Sequence, residues 1–332
     1  MPVSSAINQA PYVALDPSTS IGLGHLVRVA GLRALLHVSS RVIGRYDAEL
    51  GARGLSISRR LLARRNEAPA VWVVDSGHLP EAVIRHKLTR RDARVVWIRR
   101  GLFQAEQAAI QGGYLDFVDL VLRPAEIEPE APDAVDQLAA GQGKLREVGI
   151  CHAYQAMPAG TGASGRTVFL GLGGFEPQQR PLFVELRRQL QRARTPYVWS
   201  SHDYRPILSG FPAHRRVPVA QALAHKAKAA GAAVEAGYNS VYEALRLGHP
   251  VLLLANEGRG REAQRRRVAM AKAVSPLVFD AETPGDLARW IEAVSTGSTA
   301  RQIPEIVGMS RGLQDMVTHI EGVFADATAI RH

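Results

Sequence analysis

Two stretches of this chain begin alike, each with a short apolar run, a glycine-rich loop and a helix-forming segment. The first is YVAL at 12–15, followed by DPSTSIGLGH with Gly22 and Gly24, and then a helix opening near His25. The second is TVFL at 167–170, followed by Gly171, Gly173 and Gly174 and a helix over 181–193. Parallel strands need a long crossover, usually a helix, so a strand, a loop and a helix in succession read as the first βα unit of a doubly wound sheet. Two such starts predict an α/β protein of two Rossmann-like, doubly wound domains. Ligands of such sheets bind beyond the carboxyl ends of the strands. The two glycine loops are therefore expected to face one another across a cleft.

The intervening sequence keeps the same rhythm. VWVV at 71–74 is a buried strand ending in Asp75 and Ser76, which places Asp75 at the cleft edge. Strands are also expected at 94–98 and 117–122, separated by helix-length segments. The arginine-rich residues 41–68 read as a degenerate strand and one helix. Residues 123–147, with PAEIEPEAPD and GQGKLRE, read as irregular structure leading to a boundary strand at 148–150. AMPAGTGASG at 156–165 is the clearest linker, dividing a domain at 1–155 from one at 166–307. In the second domain the pattern gives strands at 197–200, 216–219, 232–235 and 251–254, and helices at 221–229, before 248 and after Asp280. Residues 305–324 supply one or two further helices.

The richest segment is 234–269, VEAGYNSVYEALRLGHPVLLLANEGRGREAQRRRVA. After a strand, Gly237 turns into a helix opened by Asn239 or Ser240 and closed by Gly248, and Pro250 admits the next strand. At such a helix start several backbone N–H groups lack partners and the macrodipole adds positive charge, so a phosphate or diphosphate binds readily. Glu243, one turn further on, has two readings. Ser240 and Glu243 form S-x-x-E, a capping box that needs no ligand. A carboxylate there is equally able to accept hydrogen bonds from the vicinal hydroxyls of a ribose.

Composition excludes several classes. The hydrophobic fraction of 46% and charged fraction of 22% are those of an ordinary globular chain, and no apolar run reaches the roughly 20 residues of a membrane span. The N-terminal residues lack the pattern of a secretory signal, so the expected location is cytoplasmic. A single cysteine, Cys151, excludes an internal disulfide and a multi-cysteine metal site. The net charge of +10 suits anionic partners. Its densest run, Arg259, Arg261 and Arg265 to Arg267, is placed to steer an anionic donor or acceptor, but lacks the interleaved aromatics of a nucleic-acid surface. A peripheral contact with an anionic membrane remains among the expected partners, and nucleic acid is disfavoured.

Two motifs carry a family resemblance. The opening G-x-G-H-x-x-R, Gly22 to Arg28 here, resembles that of GT-B enzymes and of the nucleotide-sugar hydrolase of pseudaminic acid biosynthesis. The segment 234–269 resembles the donor half of GT-B glycosyltransferases, above all the family that adds N-acetylglucosamine in lipid II synthesis. The resemblance implies a GT-B fold and an inverting, metal-independent transfer of a sugar from a nucleotide donor, with UDP as the expected nucleotide. The acceptor is a hydroxyl or amine of unknown identity, and no cofactor is implied. His25 would be the general base, oriented by Asp75. Gly173, Gly174, Gly237, Asn239 and Ser240 would hold the diphosphate, Glu243 the ribose, Val219 the base through its backbone, and Glu262 and Gln264 the sugar. The family's acidic residue adjoins its glutamine differently, since Ala263 separates Glu262 from Gln264 here. Residues 308–332 would cross back to the N-terminal domain. The alternatives are a nucleotide-sugar hydrolase in which His25 activates water, and a non-catalytic protein that binds a nucleotide sugar or nucleic acid.

Overall fold

The computed structural model describes residues 11–16, 24–42, 69–100, 105–152, 155, 166–172, 180–201, 210–218, 221–256, 263–296, 304–306 and 309–329. They form two parallel sheets with helices on both faces. The first contains β1 (Val13–Asp16), β2 (Ser40–Val42), β3 (Val71–Asp75), β4 (Arg94–Ile98), β5 (Leu120–Pro124) and β6 (Leu145–Val148), in the order β2-β1-β3-β4-β5-β6. The second contains β7 (Val168–Gly171), β8 (Tyr197–Ser200), β9 (Gly231–Glu235), β10 (Val251–Leu254) and β11 (Val278–Asp280), in the order β11-β10-β9-β7-β8. Strands covered on both faces have no polar side to show, and every residue of β1, β3 and β10 is buried. In each sheet the first strand lies between the second and the third, so the strand order reverses there. That reversal opens a crevice at the carboxyl ends of β1 and β3 and another at those of β7 and β9.

The first-domain helices are α1 (Gly24–Leu35), α2 (Glu81–Thr89), α3 (Ala105–Gly112) and α4 (Ala134–Gly141). The second domain has α5 (Arg180–Arg192), α6 (Ala222–Lys228), α7 (Tyr238–Leu247), α8 (Gln264–Val274) and α9 (Asp286–Thr296). The last helix, α10 (Gly312–Ala329), lies against the first sheet although it follows the second domain in sequence. Its Leu313, Met316, Val317 and Ile320 join one apolar cluster with Val13, Val71 and Val73 of the first sheet and with Val234, Tyr238 and Val241 of the second domain. The contact is close at its start: a Cβ on Gly312 would run into the carbonyls of Gly149 and Ile150, so only glycine fits. Gly149 N–H donates to Asp315 at 3.2 Å and His37 N–H to Glu321 at 2.7 Å.

Three expectations change. Of residues 123–147, those at 125–133 are irregular, but Asp133 then caps α4 by accepting from the N–H groups of Val135 and Asp136, and the edge strand β6 follows, ending at Val148. The boundary strand thus precedes 148–150. Of the strand expected at 216–219, the described residues 216–218 do not form one, since Arg216 makes only an isolated bridge to Trp199 and Pro218 offers no N–H to a ladder. The strand expected at 117–122 begins only at Leu120, after a 3₁₀ turn over Leu115–Phe117. The 156–165 linker and residues 43–68 lie outside the described residues.

Candidate functional site

The site grows from the turn between β9 and α7. Gly237 occupies the N-cap position with no side-chain cap, and the first helical bond runs from Val241 N–H to the Gly237 carbonyl at 3.1 Å. The N–H groups of Tyr238, Asn239 and Ser240 therefore precede the helix's own hydrogen-bond ladder. Gly248 closes the helix at φ 64°, the left-handed geometry that glycine adopts freely. The turn is held from below by α8. Gln264 accepts from Asn256 N–H through Oε1 and donates to Glu235 through Nε2, both at 2.8 Å, and Arg267 donates to the Ala236 carbonyl at 3.3 Å. Gln264 thus ties the ends of β9 and β10 together at the site's edge.

The capping box does not form. The helix starts at Tyr238, so Ser240 is its third residue and cannot be the cap. Glu243 turns instead to Lys226 of α6, which donates to its Oε2 at 2.6 Å, and both side chains are almost fully buried. Glu243 Oε1 accepts from no described side chain, which leaves a carboxylate oxygen one turn inside the helix start.

From the first domain, Asp75 at the end of β3 meets Arg28 of α1. Nε and Nη2 of the guanidinium donate to the two carboxylate oxygens at 2.7 and 2.8 Å, and both side chains are fully buried. Burial alone would lower the Arg28 pKa, but the Asp75 carboxylate outweighs it and holds the guanidinium charged. Arg28 Nη1 crosses to the second domain and donates to Asn239 Oδ1 at 3.0 Å. Asn239 Nδ2 is buried and has no partner. Topology explains the meeting, since Asp75 and Asn239 each leave the carboxyl end of a strand beside a point where the strand order reverses. His25 precedes Arg28 by one helical turn on α1, and its side chain lies outside the described residues.

The neighbouring face of α7 is fastened to the first domain beside this site. Tyr238 Oη donates to the Ala125 carbonyl at 2.8 Å and accepts from Cys151 N–H at 3.2 Å. Tyr242 Oη donates to Glu126 and accepts from Ile127 N–H at 2.9 Å. Burial, then the Glu126 carboxylate, pushes the Tyr242 phenol far upward and keeps it neutral. Glu126 also receives Arg267, from Nη2 at 2.7 Å and from Nε at 3.1 Å. Two guanidinium groups approach the Tyr238 ring, Arg28 at 5.7 Å and Arg267 at 5.5 Å from its centroid.

The structure thus brings Asp75, Asn239, Ser240, Glu243, Gly237 and Gln264 into one region. Gly173, Gly174, Val219 and Glu262 lie outside the described residues. The sequence reading missed Arg28, Lys226, Glu126, Tyr238 and Tyr242. Only Arg28 had a signal, as the final residue of G-x-G-H-x-x-R. Three residues of the arginine run have carboxylate partners: Arg267 is fully buried against Glu126, while Arg265, with Asp280 and Glu282, and Arg266, with Glu130, remain partly exposed. Buried Arg267 therefore does not contribute to steering an anion from solvent. No group of three or more metal-ligating side chains occurs among the described residues, and no helix among them is long and apolar enough to cross a membrane.

No protein-family model matches the sequence, and no curated protein is a significant match. Solved structures do match, over almost the whole chain. UDP-N-acetylglucosamine 2-epimerase from Rickettsia bellii aligns at 10% identity, covering 97% of this chain and 98% of its own, with a TM-score of 0.59. The MnaA–UDP co-structure from S. aureus aligns at 11% identity over 94% and 96%, with a TM-score of 0.61. The spinosyn rhamnosyltransferase SpnG complexed with thymidine diphosphate aligns at 13% identity over 97% and 100%, with a TM-score of 0.50. The fold is of the GT-B type, two Rossmann-like sheets with a shared cleft.

Proposed function

We propose that the protein binds a nucleoside diphosphate sugar at the start of α7 and transfers its glycosyl group to an acceptor, as a GT-B glycosyltransferase. The observation that carries this reading is the buried, unpartnered amide nitrogen of Asn239 among the free N–H groups of that helix start. These donors suit a diphosphate, both bound and as the leaving group, and their charge compensation requires no metal. Glu243 Oε1 lies one turn further and suits a ribose hydroxyl. His25, one turn before Arg28, is the proposed general base: it takes the acceptor proton as the acceptor oxygen bonds to the anomeric carbon and the bond to the diphosphate breaks, with inversion. UDP and thymidine diphosphate in the matched co-structures support a nucleotide donor.

A second reading keeps the donor and dispenses with the acceptor, so that the bound sugar is hydrolysed or inverted at one of its carbons. The higher TM-score to the 2-epimerase favours it. Calorimetry with UDP and thymidine diphosphate, with and without EDTA, tests binding; affinity lost with EDTA refutes the metal-free proposal. Incubation with a panel of UDP-sugars and no acceptor then separates the readings. A transferase leaves the donor almost intact, a hydrolase releases free sugar and UDP in equal amounts, and an epimerase yields a new UDP-sugar.

A further inference from the structure

The buried Asn239 amide belongs to the second domain, yet its orientation is decided by the first. Arg28 can only donate, so the oxygen it approaches at 3.0 Å must be Oδ1. A flipped amide would set an NH₂ group against a guanidinium N–H. Because the amide is planar, Nδ2 is turned away from Arg28, and it is there that it finds no partner. A buried donor without an acceptor is costly and calls for an explanation. Arg28 itself cannot rotate away, because Asp75 grips Nε and Nη2 as a two-pronged acceptor in a fully buried pair.

Resting on the nucleoside-diphosphate reading above, we infer that Arg28, locked by Asp75, is a positioning residue that acts through Asn239 and turns its Nδ2 N–H toward the diphosphate at the start of α7. The Arg28–Asp75 pair is neutral overall, so its contribution is to aim a donor rather than to attract an anion. The contact spans the two domains. Diphosphate affinity therefore depends on their being docked as they are here, with α1 of one against α7 of the other. Asp75 serves in this scheme as the anchor of Arg28.

The test is a double-mutant cycle read by calorimetry with UDP and UMP. Asn239→Asp keeps an acceptor for Arg28 but replaces the N–H donor by an oxygen. It is expected to weaken UDP by about 30-fold or more, to weaken UMP much less, and to leave the melting temperature unchanged or higher. Arg28→Lys keeps the charge but cannot span both Asp75 oxygens and Asn239, and is expected to weaken UDP by about tenfold. The double variant should be no weaker than Asn239→Asp alone, because Arg28 acts through that amide. Arg28→Gln takes the place of Arg28→Lys in the cycle if the lysine variant does not fold. UDP affinity of Asn239→Asp within about twofold of wild type overturns the inference, as does a double variant in which the two losses multiply. A wild-type protein that binds neither UDP nor UMP overturns the nucleotide reading itself, and the inference with it.

Discussion

Replacing Glu126 with glutamine asks whether one buried ion pair fastens the two domains. Arg267 is fully buried and directs Nε and Nη2 at the two Glu126 oxygens, while Tyr242 donates to the same carboxylate. Glutamine keeps the volume but offers a single acceptor oxygen, and its NH₂ group must then face a guanidinium or a phenol. Arg267 cannot discharge to relieve the mismatch. Removing one partner of a buried pair typically costs about 3–5 kcal/mol, and because glutamine retains one acceptor the lower end, about 3 kcal/mol, is expected. Urea unfolding followed by fluorescence and by circular dichroism measures it, and agreement between the probes shows whether the domains unfold together. Glu81→Gln is the control, because the Glu81–Arg85 pair is exposed and its loss should leave the urea midpoint unchanged. The double variant Glu126→Leu with Arg267→Met removes both charges and should recover most of the stability. A loss below about 1 kcal/mol for Glu126→Gln, or a double variant as unstable as the two single losses combined, would refute the reasoning.

Glu243 and His152 give two further tests. Glu243→Ala strands buried Lys226 and should cost about 3 kcal/mol in urea unfolding, where a lost capping box would cost about 1; Glu243→Gln keeps an acceptor for Lys226 and should weaken UDP by about 1–3 kcal/mol in calorimetry. His152 is buried with Nε2 at 3.0 Å from the Met309 carbonyl, and burial pushes its pKa down to about 4 from 6.5. Between those values the unfolded chain takes up a proton that the folded one refuses. The contribution of His152 to stability should therefore be constant well above pH 6.5 and fall by up to about 3 kcal/mol as the pH drops to 4, so urea midpoints of His152→Gln should fall less over that range than those of the wild type.

What could be read in the sequence follows from where each element gets its stability. Strands buried on both faces, such as VWVV in β3 and VLLL in β10, announce themselves as unbroken apolar runs. The edge strand β6, LREV, exposes two of its four residues and leaves no such trace. Helix α4 was hidden behind Pro124, Pro129 and Pro132, although its Asp133 cap stood in plain view. At the candidate site, the turn at Gly237 and the helix start beside Asn239 were legible because such a start has a local composition. The Arg28 clamp was not, since it joins residues 47 and 211 positions apart and its bond to Asn239 exists only through the docking of two domains. The capping-box reading of S-x-x-E fails for a related reason. Lys226 lies 17 residues before Glu243, on a different helix, and its buried charge outcompetes a local backbone bond.

The placement of these residues on α7 has a single geometric cause. Residues four apart on a helix share a face, and the neighbouring row is turned by about 100°. Tyr238 and Tyr242 form one row, and their hydroxyls engage Ala125, Cys151, Glu126 and Ile127 of the first domain. Asn239 and Glu243 form the next, carrying the unpartnered amide and the half-satisfied carboxylate. The row that docks the helix thus fixes the direction of the row that faces the proposed donor. A residue that shifts the tyrosines also re-aims Asn239, and the reverse does not hold, because Asn239 makes one hydrogen bond across the interface where the tyrosines make four. On the proposed reading, docking and donor binding are coupled in the helix itself, with Arg28 holding Asn239 from the other side.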